Sequence, residues 1–201
     1  MKLIGIVGTN SAKSTNRQLL QYMQKRFEDK AEIELVEIKD LPTFDKPADR
    51  ILPGNVKELV AKIEEADGVI IGTPEYDHSI PAVLMNALAW VSYGVYPMAN
   101  KPVMITGASY GTLGSSRAQL QLRQILNAPE LKATVLPDEF LLSHSLQAFN
   151  SEGDLNDIET SQKLDAIFDD FRLFVKMTEK LSNAKDLLRK EAENFDWESL
   201  D

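Results

Sequence analysis

Short, nearly unbroken apolar runs alternate with stretches of helical periodicity along most of this chain. That alternation limits the fold more than any other feature. Lys2–Val7 (KLIGIV), Glu32–Ile38 (EIELVEI), Gly68–Thr73 (GVIIGT), Lys101–Gly107 (KPVMITG) and Lys132–Pro137 (KATVLP) read as five strands. The first, third and fourth are apolar almost throughout, as strands covered on both faces must be. Between them, Leu19, Leu20, Met23 and Phe27 share one helical face, and Val56, Leu59, Val60 and Ile63 follow the i, i+3, i+4, i+7 rule. Pro81–Val91 is a third helix, with proline in the first turn where a missing N–H does no harm. Ser115–Leu126 is a fourth, and Leu164, Ile167, Phe168, Phe171 and Val175 mark a fifth. Such an order implies an α/β domain with a parallel sheet and helices on both faces.

At 201 residues the chain suits one large domain with a full core. The expected division is a body over residues 1–182 and a charged tail over 183–201. The tail's Phe195 and Trp197 suit packing on the body or a neighbour as well as they suit a frayed end. A net charge of −9 argues against nucleic acid and anionic lipid as partners. An anionic small molecule stays open, because a site can be locally favourable inside an acidic protein. With no cysteine, thiol nucleophiles, disulfides, zinc–thiolate and iron–sulfur sites are excluded. No run approaches the roughly 18 apolar residues of a membrane span, and the first residues lack the apolar core of a signal peptide. The expectation is a cytoplasmic protein without membrane insertion.

Open parallel sheets bind ligands beyond the carboxyl ends of their strands, where strand order reverses. Periodicity does not fix that order. Order 2-1-3-4-5 is adopted because it gathers the three most unusual loops, which follow the first, third and fourth strands. The first, GTNSAKSTN, offers Thr9, Asn10, Ser11, Ser14, Thr15 and Asn16 where a capped helix start needs only one or two polar residues. Ser14 or Thr15 can cap, and Thr15 with Gln18 fits a capping box. The surplus suits a phosphate at a helix N-terminus, with Lys13 and Arg17 either adding charge or standing solvated. The Gly-Lys-Ser/Thr ending of a nucleotide-triphosphate loop and the three-glycine dinucleotide fingerprint are both absent. The second loop, TPEYDHSIP, is a proline-shaped turn whose backbone can read the edge of a heterocycle. Tyr76 and Trp90 can line a flat slot, although Trp90, well inside the third helix, is more often simply core. Glu75 with Asp77 reads as an exposed pair, and His78 and His144 as solvated. No metal constellation appears. The third loop, GASYGTLGSS, has glycines at Gly107, Gly111 and Gly114 that permit close backbone approach to a ligand.

Together these loops resemble the NAD(P)H-dependent FMN reductase family, the flavodoxin-like group that includes quinone, chromate and azo-dye reductases. The ring-loop pattern Pro-Glu-Tyr-Asn, then Ser-x-Pro and an apolar helix with Asn-Ala and Trp, is matched by Pro74, Glu75, Tyr76, Ser79, Pro81, Asn86, Ala87 and Trp90. Gly107, Ser109, Gly111 and Gly114 match the third loop, and the likeness extends over roughly residues 1–180. Three positions depart from the pattern. Ser11 stands where an arginine is frequent, which weakens FMN affinity or passes the role to Lys13; Asp77 replaces asparagine; Ser115 replaces a frequent glycine.

The resemblance implies a flavodoxin-like α/β/α sandwich and bound FMN, with NAD(P)H as hydride donor. It places the phosphate on Thr9, Ser11, Ser14, Thr15 and Asn16, the ring against Pro74, Glu75, Tyr76 and Asp77, and Ser109, Tyr110 and Gly111 on the other side. A small oxidised acceptor such as a quinone, azo compound, free flavin or metal oxyanion then follows the nicotinamide. No protein acid, base or nucleophile is required. The family also implies a homodimer or homotetramer, for which the aromatic stretch VSYGVYPMAN is the candidate contact, against local packing on the sheet edge. A flavodoxin-type electron carrier that binds FMN without oxidising NAD(P)H is the alternative. A flavin-free enzyme acting on a phosphate ligand ranks third.

Overall fold

The computed structural model describes residues 1–193; Phe195 and Trp197 lie outside them. The elements run β1 (Lys2–Val7), α1 (Thr15–Arg26), β2 (Glu32–Glu37), α2 (Gly54–Glu65), β3 (Gly68–Gly72), α3 (Ala82–Val91), β4 (Pro102–Ala108), α4 (Ser116–Leu126), β5 (Thr134–Val135), β6 (Phe140–Leu142) and α5 (Ile158–Glu193). The sheet is parallel in order β2-β1-β3-β4-β5, as the clustering of loops requires.

Strand side chains alternate between two cores, the outcome expected of buried parallel strands. Ile4, Ile6, Val69, Ile71, Val103 and Ile105 face α2, α3 and α4. Leu3, Val7, Ile70, Met104 and Ala108 face α1 and α5. α1 and α5 are joined by stacked rings of Phe27 and Phe168, 3.8 Å between centroids. A row of ion pairs borders that contact: Lys25–Asp154, Arg26–Asp165 and Lys30–Asp169.

One expected strand divides. Lys132–Pro137 contributes only Thr134–Val135, which pairs with the start of β4, while Phe140–Leu142 pairs further along the same β4 edge. Between them Pro137 has no N–H to give a ladder, and Arg123 of α4 donates to the carbonyls of Leu136 and Asp138. β6 therefore restarts the sheet edge beside Ala108, where the third loop begins. α5 runs unbroken past the expected boundary at residue 182 to Glu193. The VSYGVYPMAN stretch packs locally in part: Met98 is buried, Val95 packs on the α2–α3–α4 core and the Tyr93 hydroxyl donates to Pro47 O, whereas Tyr96 is exposed. No helix among the described residues is long and apolar enough to cross a membrane.

Candidate functional site

The loops after β1, β3 and β4 converge on one cleft of about 540 Å3, within the range of small-molecule sites. Its lining includes Ser11, Ser14, Thr15 and Asn16 from the first loop, Pro74, Glu75 and Tyr76 from the second, and Ser109, Tyr110 and Gly111 from the third. Thr9 and Asp77 stand outside that lining. Thr9 is fully buried behind the first loop, where its hydroxyl accepts from the Ser11 N–H and meets the Tyr76 hydroxyl at 3.3 Å. Asp77 is exposed at the tip of a small hairpin in which Tyr76 and Ser79 exchange backbone hydrogen bonds. Asp77 and His78 have φ of 49° and 64°, the paired left-handed residues of a type I′ turn. A position of that kind favours asparagine and tolerates aspartate, which accounts for the Asp77 departure.

Ser14 is the N-cap of α1: its hydroxyl accepts from the Arg17 N–H at 3.2 Å. The Thr15–Gln18 capping box does not form, because the Thr15 hydroxyl instead meets Ser145 Oγ at 2.8 Å. The Asn16 side chain is spent on the scaffold, donating to Ala108 O and accepting from Ala108 N–H, so it rivets α1 to the end of β4. With these bonds made, the backbone N–H groups of Lys13, Ser14, Thr15 and Asn16 have no protein partner among the described residues. Arg17 faces away from the cleft: it binds Glu37 through two nitrogens and donates to Ser11 O. The Glu37 hydrogen bond pushes the Arg17 pKa above its ordinary value. Lys13 lines the cleft and is exposed.

Glu75 joins the second and third loops. Its carboxylate accepts from the Arg117 and Ala118 N–H groups at the start of α4, and it pairs with the Arg117 guanidinium at 2.8 Å. α4 needs this outside cap because Ser115, its own N-cap residue, sits at φ 66° and makes no capping bond. The Ser115 hydroxyl is buried without a partner. It occupies space that only a glycine at position 107 leaves: a Cβ on Gly107 would lie 1.6 Å from it. Gly114, at φ 56°, is likewise pressed against the Leu141 backbone.

A fourth loop, after β6, completes the third from behind. Ser145 N–H donates to Ser109 O, His144 N–H to Gly111 O and Ser143 Oγ to Thr112 O. Sequence reasoning missed this segment because Phe140–Leu142 is three residues long and shows no alternation; the apolar triplet before SHS was the available signal. Trp90 is core, with its indole N–H donating to Pro42 O and its ring edge-on to Phe44. No group of metal-ligating residues occurs among the described residues.

The cleft fits FMN: it has unpartnered N–H donors at a helix start for a phosphate, and beside them a slot walled by Pro74, Tyr76, Tyr110 and backbone. The family model for NADPH-dependent FMN reductase matches residues 1–147. A similar protein of Vibrio ruber, named NADH:(hydroxy)cinnamate reductase subunit CrdA, is 51% identical over 99% of this chain and 98% of its own. One of Lactobacillus johnsonii, named NADH-dependent flavin reductase subunit 2, is 47% identical over 90% of this chain and 100% of its own. Among solved structures, the flavoenzyme NAD(P)H:(acceptor) oxidoreductase of Paracoccus denitrificans superposes with a TM-score of 0.77 at 29% identity, covering 89% of this chain and 97% of that one. Cleft, topology and likeness agree: the chain belongs to the NADPH-dependent FMN reductase family, as an FMN-binding, NAD(P)H-dependent oxidoreductase of flavodoxin-like fold.

Proposed function

We propose that residues 1–182 form a unit that holds FMN with its phosphate on the free N–H groups at the start of α1 and its ring between Pro74–Tyr76 and Ser109–Gly111. One observation supports this reading: of the two helices starting at the cleft, only α1 has first-turn residues, Thr15 and Asn16, whose N–H groups lack a protein partner among the described residues. When bound, FMN supplies a two-electron carrier that accepts hydride from NAD(P)H and passes the electron pair to an acceptor. The chain's own groups bind and orient. Ser14 Oγ accepts in its cap and keeps its proton for the phosphate, and Thr15 does the same where Ser145 is the donor of their pair. Ser11 Oγ donates to Lys13 O and shapes the loop, and Lys13 takes the cationic role that Arg17 has given up to Glu37. Thr9 and Asn16 hold the first loop's shape from behind, and Asp77 acts through the turn that aims the Pro74–Tyr76 backbone. Backbone donors along the ring's polar edge favour negative charge there.

The half-open cleft suits a flat, small acceptor such as a quinone or azo compound, in a cytoplasmic homo-oligomer. The names of the Vibrio ruber and Lactobacillus johnsonii relatives, each a subunit, support a second reading in which the acceptor belongs to a different protein. The test is the visible spectrum of the purified chain after incubation with FMN, followed by anaerobic titration with NADH and with NADPH. Flavin uptake and bleaching by either nucleotide are expected. A chain that binds flavin and stays yellow is a carrier, and a chain that takes up no FMN overturns the site.

A further inference from the structure

We propose that Arg117 is the docking cation for the diphosphate of the nicotinamide donor, a specificity residue at the cleft rim. The inference rests on the cleft's being the FMN site. NADH and NADPH bring a doubly charged diphosphate to a protein of net charge −9, so local positive charge must receive it. Among the described residues, two cationic side chains line the cleft, Lys13 and Arg117. Lys13 belongs to the loop that carries the unpartnered N–H groups of α1 and serves the FMN phosphate. The start of α4 gives no help, because Glu75 already occupies the Arg117 and Ala118 N–H groups.

Arg117 is built for the remaining anion. Its side chain is 44% exposed, while the Glu75 side chain that holds it is 10% exposed. It has no partner besides Glu75 among the described residues. The carboxylate therefore fixes the guanidinium in place and leaves part of its planar donor fork facing the cleft, the geometry that suits phosphate oxygens. Tyr110 and Leu113, 60% and 48% exposed, stand on the same rim and offer apolar surface to a flat ring. A purely structural role explains the arrangement less well. The two N–H groups share Glu75 Oε2 and Arg117 Nε takes Oε1, so one guanidinium nitrogen meets the carboxylate's need while the rest of the fork stays available, and a rim ion pair adds little stability of its own.

FMN-loaded wild type, R117Q and R117K are titrated with tetrahydro-NADH, which carries the diphosphate and gives up no hydride, and binding is read from perturbation of the flavin spectrum. In parallel, the half-saturating concentration of the uncharged donor N-benzyl-dihydronicotinamide is measured by flavin bleaching. Relative to the uncharged probe, affinity for tetrahydro-NADH falls about tenfold in R117Q and no more than about threefold in R117K, and raising the salt weakens it more in wild type than in R117Q. Equal weakening toward both probes, the result of a merely loosened loop, overturns the proposal, as does unchanged affinity for tetrahydro-NADH. A wild type that takes up no FMN is recognised before any nucleotide is added and overturns both readings.

Discussion

α1 and α4 begin at the rim of the same cleft and finish their first turns in opposite ways. At α1 the protein supplies one short hydroxyl, Ser14 Oγ to the Arg17 N–H, and leaves the Thr15 and Asn16 N–H groups to others. At α4 the first four helical donors are taken: Ser116 N–H by Leu113 O, Arg117 and Ala118 N–H by Glu75, and Gln119 N–H by Ser115 O. Both ends carry the same partial positive charge. The difference teaches that a helix start becomes an anion site only where the protein's own carboxylates stay away. A first loop without a carboxylate and a glutamate three residues past β3 together leave first-turn N–H groups open at one helix and close them at the other.

The comparison breaks most sharply if α1 is made to resemble α4. Aspartate caps a helix as well as serine does, so Ser14→Asp is expected to keep the melting temperature while putting a carboxylate at the proposed phosphate site. Two like charges about 4 Å apart at an effective dielectric near 20 repel by several kcal/mol, so FMN affinity falls by at least about 100-fold. Fluorescence quenching on titration with FMN measures it. An S14D chain that binds FMN within about threefold of wild type would place the phosphate elsewhere.

The α4 end depends on the tight seat of Ser115. Gly107→Ala drives a methyl into the Ser115 hydroxyl, and the same methyl meets Gln119 Nε2 at 2.8 Å. A loss of about 3 kcal/mol in urea unfolding is expected. Ser115→Gly removes both a left-handed serine and a buried hydroxyl without a partner, which stabilises by about 1 kcal/mol. The double variant recovers more than the sum of the two, because the closest clash disappears with the hydroxyl; strict additivity would show that the two sites are not in contact. Removing the external cap is a milder change. Glu75→Gln keeps an oxygen for the α4 N–H groups but loses the ion pair and the charge at the helix start, at a cost of about 1 kcal/mol, whereas Glu75→Ala costs about 2. Equal losses from the two would mean that charge alone, and not the accepting oxygen, secures α4.

Most of the fold was legible because β1, β3 and β4 are buried on both faces, and two-sided burial writes itself as continuous Val, Ile, Leu and Met. The sheet edge was not, since β5 and β6 are two and three residues long and their place is set by Arg123 and Pro137 rather than by a pattern. The surplus of small polar residues after β1 singled out a loop that lines the cleft, but not what each residue does there. Ser14 caps, Asn16 rivets and Thr9 braces from behind, because a loop must fold itself before it can receive a ligand. Glu75 was the instructive case. Beside Asp77 it read as one of two exposed acids, yet its true neighbours are the N–H groups of Arg117 and Ala118. No local spacing announces a cap supplied from more than forty residues away.

The two helices differ at their far ends as well, and acid should separate them. α4 is tied by Arg123 chiefly to the Leu136 and Asp138 carbonyls, at 2.6 and 2.8 Å, groups that do not titrate; its one carboxylate contact, with Glu139, is long at 3.7 Å. α1 and the turn after it are tied to α5 through carboxylates, among them Asp169, whose hydrogen bond with Lys30, aided by Arg172, holds its pKa below the ordinary 3.8. A carboxyl depressed in the folded chain contributes stability that is complete above its unfolded value and disappears as pH falls through its folded value. Half of the Asp169 side chain is exposed, so solvent screening limits the contribution to about 0.5 kcal/mol. The stability difference between wild type and Asp169→Asn should therefore hold steady from about pH 7 to pH 5 and close below about pH 4, as followed by urea unfolding at each pH. A difference that persists undiminished at about pH 2 would mean that Asp169 acts through packing and not through its charge, and the ionic fastening of α1 to α5 would rest on Asp165, with Asp154 holding α1 to the link before α5.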